Sequence, residues 1–582
     1  MFQFADKITI LTEQLFFGGI KMSDKLTLDQ VLINSSTKYE NNIALSSVDG
    51  VSVTYKELKE KVNSVSEFLQ EGGVLPGDKV AILSENSVNW GIAYFAITTM
   101  GAVGVPIMTE FKSTEIHHIL RHSECKVIFV SSKQYEKIEE FKSEEIIARI
   151  LLDDFSIIPE EIKTDRLKTA VAEGLKEFQK IKFAALKLVG LADDVVEEND
   201  LALILYTSGT TGHSKGVMLT HKNIVYDAQA TVKLVNMNEN DKLLSILPLY
   251  HTYEATLGLV TPIYSGGSVY YMKKPPTAAA LLPAMKSVKP TVMLSVPLVI
   301  EKIFRNKVLV EINKKTITRS LYKFSPLRKK INGVAGKKLM QTFGGNLRMF
   351  CIGGSALAGD VEKFLLEAKF PYSMGYGLTE TSPLVTGTDN VNVRFRSAGV
   401  TLEGMEVKID NPDKETGEGE VLIKGPNVMK GYYRDPEKTD EVFTEDGWFR
   451  SGDLGIVDND GYLFLKGRSK NVIIGSNGKN IYPEEVESII TEQEFVAESL
   501  VLDRDGSLEA RIHLNYEQID EVFEIQKMNE PEARKIVENI LNDIHKNANE
   551  RLNSFSKISK IIEQVEPFEK TPTQKIKRFL YS

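Results

Sequence analysis

Short apolar runs separated by amphipathic stretches fill the first two thirds of the chain. Val80–Leu83, Val103–Ile107, Val127–Val130 and Leu201–Tyr206 are runs of this kind. Uninterrupted apolar segments of strand length, alternating with helical patterns, predict strands covered on both faces and therefore parallel sheets in an α/β fold. Near Val391 the texture changes to short segments between Gly-rich turns, as in Gly417–Ile423 and Asp460–Leu465. That change predicts a small β-barrel or antiparallel sheet. After Arg468-Ser469-Lys470 the pattern becomes a compact α/β tail of about 110 residues, a size suited to a separate lid.

From Ser87 to Thr109 no residue is charged. A run of that length could span a membrane, but Gly101, Gly104 and Pro106 break it after barely three turns. The pattern predicts a buried helix from about Asn89 to Met100 followed by a strand.

Composition narrows the class. At 582 residues the chain is too long for one core, and about 150 residues per unit predicts roughly two to four domains or subdomains. Cys125 and Cys351 lie far apart and in no metal-ligand spacing, which fits a reducing cytoplasm. The net charge of −9 argues against general nucleic-acid binding. Charge is uneven, however: Glu301–Lys338 holds twelve basic residues against two acidic ones, with clusters at Arg328-Lys329-Lys330 and Lys337-Lys338. Such a run is either a solvated helical face or a docking patch for anionic lipid at the inner membrane surface or for an acidic carrier protein.

The densest chemistry lies in Tyr206–His221, YTSGTTGHSKGVMLTH. Thr207, Ser208, Thr210 and Thr211 supply hydroxyls, Gly209 and Gly212 let backbone N–H groups approach phosphate oxygens, and Lys215 adds a positive charge. The Walker spacing is absent, because Lys215 follows Ser214 and precedes Gly216.

This loop resembles the nucleotide-phosphate signature of the adenylate-forming superfamily, which includes acyl-CoA synthetases. Further motifs of that superfamily follow in order: LPLYHTYE at Leu247–Glu254, IGGSAL at Ile352–Leu357, MGYGLTETSP at Met374–Pro383, GWFRSGDLG at Gly447–Gly455, GRSKNVII at Gly467–Ile474, NIYPEEVE at Asn480–Glu487 and TPTQKIKR at Thr571–Arg578. The resemblance implies a large N-terminal domain, residues 22–468, of two parallel-type α/β subdomains plus a small β-barrel. A mobile α/β lid, residues 469–582, completes it.

It also implies roles. Glu380 would hold Mg²⁺ against ATP phosphates, with Thr207 as a partner ligand. Tyr376, within the Gly377-containing turn, would stack on adenine, Thr379 would bond the α-phosphate, and Gly354-Ser355 would pack close to the base. Asp453 would accept the ribose hydroxyls, helped by Arg468. Lys470 would be the hinge, Lys575 the catalytic lysine of the lid, and His251 a residue beside the acyl pocket. Gly478 would line the channel for the thiol arm of CoA. Ser214 stands where many relatives have proline, and Gln574 replaces the glycine of peptide-synthetase domains.

The expected activity is that of a cytoplasmic long-chain fatty acid–CoA ligase using ATP, Mg²⁺ and CoA. An acyl–carrier-protein synthetase or acyl-AMP ligase is the alternative, and a non-catalytic acyl-binding protein the rival from another class. The acid class rests on LPLYHTYE, on Val296–Phe304 with its basic insertion, and on TPTQKIKR. The oligomeric state stays open, a homodimer being compatible. Residues 1–21 stand outside the resemblance. Gly18-Gly19-Ile20-Lys21 can be encoded by a purine-rich ribosome-binding site, so Met22 is the expected start, with an amphipathic N-terminal arm as the alternative.

Overall fold

A computed structural model of the chain describes residues 25–159, 167, 196–207, 214–274, 276–314, 316–475, 480–504, 506–570 and 576–581. The expected N-terminal extension lies outside these residues.

The apolar runs become strands at the heart of two large sheets. In the eight-stranded sheet, Leu201–Thr207, Val103–Pro106, Lys79–Leu83, Cys125–Val130 and Ala148–Leu151 lie side by side and parallel. Lys215–Thr220 runs antiparallel beside Leu201–Thr207 and is itself edged by Gly431–Tyr432. The nine-stranded sheet has a parallel centre of Tyr372–Gly377, Met349–Ile352, Val292–Ser295, Lys242–Ser245, Ser268–Tyr271 and Ile43–Ser47. Val80, Ile82, Val105 and Phe129 are buried, as both-face coverage requires.

The uncharged run forms the helix Val88–Thr99, capped by Ser87, whose hydroxyl accepts from Trp90 N. Every residue from Trp90 to Thr98 is buried. A helix covered all round needs no polar face, which is why it carries no charge. The strand Val103–Pro106 follows directly. Among the described residues no helix is long and apolar enough to cross a membrane.

The small β unit is a four-stranded antiparallel sheet in the order Glu406–Asp410, Gly419–Lys424, Phe449–Val457 and Leu463–Arg468. It leans on the nine-stranded sheet through a bridge between Val400 and Tyr462. Beyond residue 480 a separate apolar core joins Val486, Ile490, Leu508, Ile512, Ile540 and Ile544. It lies between the three-stranded sheet Val496–Arg504, Ser507–Leu514, Ile558–Glu563 and the helices Pro483–Thr491 and Glu530–Arg551. Polar contacts hold this unit against the rest: Tyr482 donates to Glu418 Oε2 at 2.7 Å, and Gly359 N donates to Glu492 Oε1 at 3.0 Å.

Candidate active site

Thr207 and Lys215 end two antiparallel strands and sit opposite one another in register. Directly opposed residues point to the same face, so the strand pair presents a hydroxyl and an ammonium together. Ser208, Gly209, Thr210, Thr211 and Gly212, between them, lie outside the described residues, as do Gly478 and Lys575.

The Lys215 ammonium stands over the Tyr432 ring, 5.0 Å from its centroid. The Tyr432 hydroxyl donates to Glu380 Oε1 at 3.0 Å. Backbone pairing fixes this arrangement: Met429 N donates to the Glu380 carbonyl, Lys430 N to Met218, and Tyr433 N to Gly216. One aromatic side chain thereby links the phosphate-loop lysine to the candidate metal carboxylate. Partial burial and the positive charges of Lys438 and Lys470 lower the Lys215 pKa, against the opposing pull of Glu380 and Asp435. The ammonium groups of Lys215, Lys438 and Lys470 in one neighbourhood suit a polyanion such as a triphosphate.

A second cluster lies where Tyr372–Gly377 meets the four-stranded sheet. Tyr376 donates its hydroxyl to Asp453 Oδ2 at 2.7 Å. Asp453 pairs in register with Arg468, whose Nε stands 2.8 Å from Asp453 Oδ1. Asp453 N donates to Ser451 Oγ, and Arg468 Nη1 donates to the Ser451 carbonyl. Asp453 and Tyr376 are each 8% exposed. Burial, followed by the adjoining carboxylate, pushes the Tyr376 hydroxyl well above its ordinary pKa, so it stays a donor.

The turn after Tyr376 explains its own glycine. A Cβ on Gly377 would fall 1.7 Å from the Pro383 carbonyl oxygen, so only glycine allows this backbone crossing. Thr379 and Glu380 follow on a single 3₁₀ turn, half-buried. Gly354 and Ser355 are exposed. Gly354 has φ +90°, with Val296 Cγ1 3.7 Å from where its Cβ would stand. Within the chain itself, backbone conformation rather than crowding calls for glycine there.

His251 packs edge-on against Tyr250, with ring centroids 4.9 Å apart. It stands two residues before the π-helix Tyr253–Val260, whose N-cap is Thr252. The Tyr253 hydroxyl donates to the Cys351 carbonyl at 3.1 Å, joining this helix to the strand that leads into Gly354. Glu254, one residue further, is completely buried, and among the described residues only the nearby Ser245 hydroxyl offsets the burial of its carboxyl group. Burial pushes its pKa up to about 8.

Lys470 is exposed on the turn Ser469–Asn471 that leads from Arg468 into the C-terminal unit. The chain flanking Lys575 is firmly held: Lys570 and Ile576 form an antiparallel bridge. Arg578 donates through Nη2 to both oxygens of half-buried Glu487 at 2.5 Å, and through Nη1 to the Val501 carbonyl. In the fold it is an anchor.

Residues 33–433 match the family of AMP-binding enzymes. The chain belongs to that family. Among the relatives of this AMP-binding enzyme is the chloroplastic long-chain-fatty-acid–[acyl-carrier-protein] ligase AEE15 of Arabidopsis thaliana, 27% identical, covering 84% of the chain and 76% of the relative. The long-chain-fatty-acid–CoA ligase FadD15 of Mycobacterium bovis is 29% identical and covers 78% and 76%. Among solved structures, ATP-bound MatB from Rhodopseudomonas palustris is 25% identical, with a TM-score of 0.71 and coverage of 96% and 98%. Tyr432, Ser451 and Arg578 are absent from the residues that motif reading singles out. Only the aromatic pair Tyr432-Tyr433 after Gly431 hinted at the first.

Proposed function

We propose that the protein is an adenylate-forming acyl ligase whose acid is a long-chain fatty acid and whose acceptor is CoA. The carboxylate oxygen attacks the α-phosphorus of ATP, pyrophosphate leaves, and the CoA thiol then attacks the acyl-AMP carbonyl with AMP as the leaving group. The observation that carries this reading is the joining of two constellations in one fold. Lys215, Tyr432 and Glu380 suit the phosphates, while Tyr376, Asp453 and Arg468 suit the nucleoside.

Adenylate formation is mainly a problem of positioning and neutralising charge. Lys215 would meet phosphate oxygens, Asp453 would accept the ribose diol, and the Tyr376 ring would lie against the base. A half-buried carboxylate and a threonine hydroxyl are ligand types that Mg²⁺ accepts alongside phosphate oxygens and water, so Glu380 and Thr207 would hold the ion. When bound, Mg²⁺ neutralises phosphate charge. Lys575 would stabilise the charge that builds during attack, and residues 469–582 would swing about Lys470 so that the thiol can reach the carbonyl, past Gly478. His251 would border the acyl chain.

The relatives from Mycobacterium bovis and Arabidopsis thaliana support a long-chain acid and differ in the acceptor. ATP–pyrophosphate exchange across a panel of carboxylic acids tests the first step. Product formation with CoA and with an acyl carrier protein, run in parallel, tests the second. Exchange confined to short or aromatic acids would overturn the fatty-acid reading.

A further inference from the structure

The basic stretch after Val296 folds into consecutive helices, Pro297–Ile303, Phe304–Leu309, Val310–Asn313, Thr316–Tyr322 and Ser325–Thr342. Two of its arginines are structural. Arg328 clasps Glu367 with Nη2 to Oε1 at 2.8 Å and Nε to Oε2 at 3.0 Å, and Arg305 pairs with Asp360 at 3.2 Å. Both carboxylates lie on the helix Gly359–Ala368. The lysines differ: Lys323, Lys329, Lys330, Lys337 and Lys338 are all exposed, as is Lys314, which stands 3.7 Å from Glu311.

Large apolar side chains are exposed among them. Ile317 is 75% exposed, Phe324 63% and Val334 61%, and Leu321 and Leu327 are exposed as well. The spacing is regular. Ile317 and Leu321 stand four residues apart on one helix, and Leu327, Lys330, Val334 and Lys337 follow a three-four-three rhythm on the next. That rhythm places them on one face, opposite buried Asn332, Gly336 and Leu339. Water gives no reason to expose several large apolar groups together, whereas a surface that is apolar within and anionic at its rim accepts both kinds of side chain.

We propose that this face rests on an anionic lipid bilayer, with Ile317, Leu321, Phe324, Leu327 and Val334 entering the acyl boundary and the flanking lysines meeting lipid headgroups. Charge alone would serve an acidic carrier protein equally well; the protruding aliphatic and aromatic side chains favour lipid. Its position fits: the helices start directly after Ser295-Val296, where the Tyr253 hydroxyl lies 3.5 Å from the Ser295 carbonyl and Val296 neighbours Gly354. The advantage to catalysis rests on the fatty-acid reading, because such acids partition into membranes. The attachment itself does not rest on it.

The test is co-sedimentation of the full chain with phosphatidylcholine vesicles, with and without phosphatidylglycerol. Wild type should bind only the anionic vesicles and should be released by salt. Each headgroup contact by a lysine is worth about fivefold in partitioning. Joint Lys330→Glu, Lys337→Glu and Lys338→Glu should therefore lower binding on the order of a hundredfold or more. Joint Ile317→Ser and Phe324→Ser should lower it at least tenfold at unchanged net charge. Arg328 is left intact because its reversal would break the clasp on Glu367. Unaltered melting temperatures and unaltered pyrophosphate exchange on a short soluble acid would show both variants folded. Equal binding to neutral vesicles, or no effect of the serine variant, overturns the proposal. Binding of an acidic carrier protein without vesicle binding would assign the face to that protein instead. Failure of exchange with every acid, with vesicle binding intact, would count against the ligase reading and leave this one standing.

Discussion

Tyr432 donates its hydroxyl to Glu380 at 3.0 Å while its ring lies beneath the Lys215 ammonium. The two functions belong to different parts of one side chain, so they can be separated by substitution. Tyr432→Phe keeps the ring and removes the donor to Glu380. It should leave ATP affinity nearly unchanged and raise the Mg²⁺ concentration needed for half-maximal pyrophosphate exchange, by about fivefold for one hydrogen bond of about 1 kcal/mol. Tyr432→Leu removes both contacts and should weaken ATP binding as well. Identical kinetics for the two variants would show that the ring and hydroxyl do not act separately.

Lys575→Ala should lower adenylate formation on the order of a hundredfold or more, as loss of one charged donor in the transition state implies. Thioester formation from supplied acyl-AMP should survive. Arg578→Ala should reproduce part of the first defect, since it releases the anchor on Glu487 close to Lys575 in sequence. Equal loss of both half-reactions in Lys575→Ala would refute the two-geometry assignment.

Asp453→Ala removes the acceptor shared by Tyr376 and Arg468. A hydrogen bond to a charged group is worth about 1.5–3 kcal/mol, so the ATP dissociation constant should rise at least tenfold by calorimetry. Unchanged nucleotide affinity would remove the ribose role.

Glu254 gives a pH prediction. Its carboxyl pKa is raised from 4.5 to about 8 by burial, which the nearby Ser245 offsets only in part. The folded chain keeps a proton that the unfolded chain releases, so the stability due to this group is complete below about pH 4.5. It falls by about 1.4 kcal/mol per pH unit and is lost as pH rises through 8. Glu254→Gln should flatten the pH dependence of urea stability between pH 6 and 8. Parallel wild-type and variant curves would show that Glu254 is ionised in the folded protein. Gly258→Ala should destabilise at every pH, because a Cβ there would stand 2.7 Å from the Glu254 carboxyl carbon.

Much of the scaffold was legible because burial on both faces leaves a plain mark. Val80–Leu83, Val127–Val130 and Leu201–Tyr206 had to be strands of covered sheets. The uncharged run, broken by Gly101, Gly104 and Pro106, pointed to a buried helix and then a strand, and Val88–Thr99 and Val103–Pro106 are these. The candidate site was legible as motifs but not as contacts. Tyr376 and Asp453 are 77 positions apart, and no periodicity announces that one hydroxyl meets the other's carboxylate. Arg328 read as surface charge for the same reason, since its partner Glu367 lies on another helix. Tyr432 was hidden among ordinary strand aromatics, and only the pairing of Gly431–Tyr432 with Lys215–Thr220 brings it to Lys215.

The register pair Thr207 and Lys215 has a consequence for how this protein can change over generations. Strand pairing fixes both ends by backbone bonds that do not depend on which side chains occupy positions 208–214. Substitutions there, such as serine for proline at 214, can accumulate without displacing the hydroxyl or the ammonium at either end. A slip of one residue in either strand is another matter, because it would turn Thr207 or Lys215 to the opposite face of the sheet. Selection on positions 208–214 therefore acts through phosphate binding, while the strand register alone keeps Thr207 and Lys215 in step.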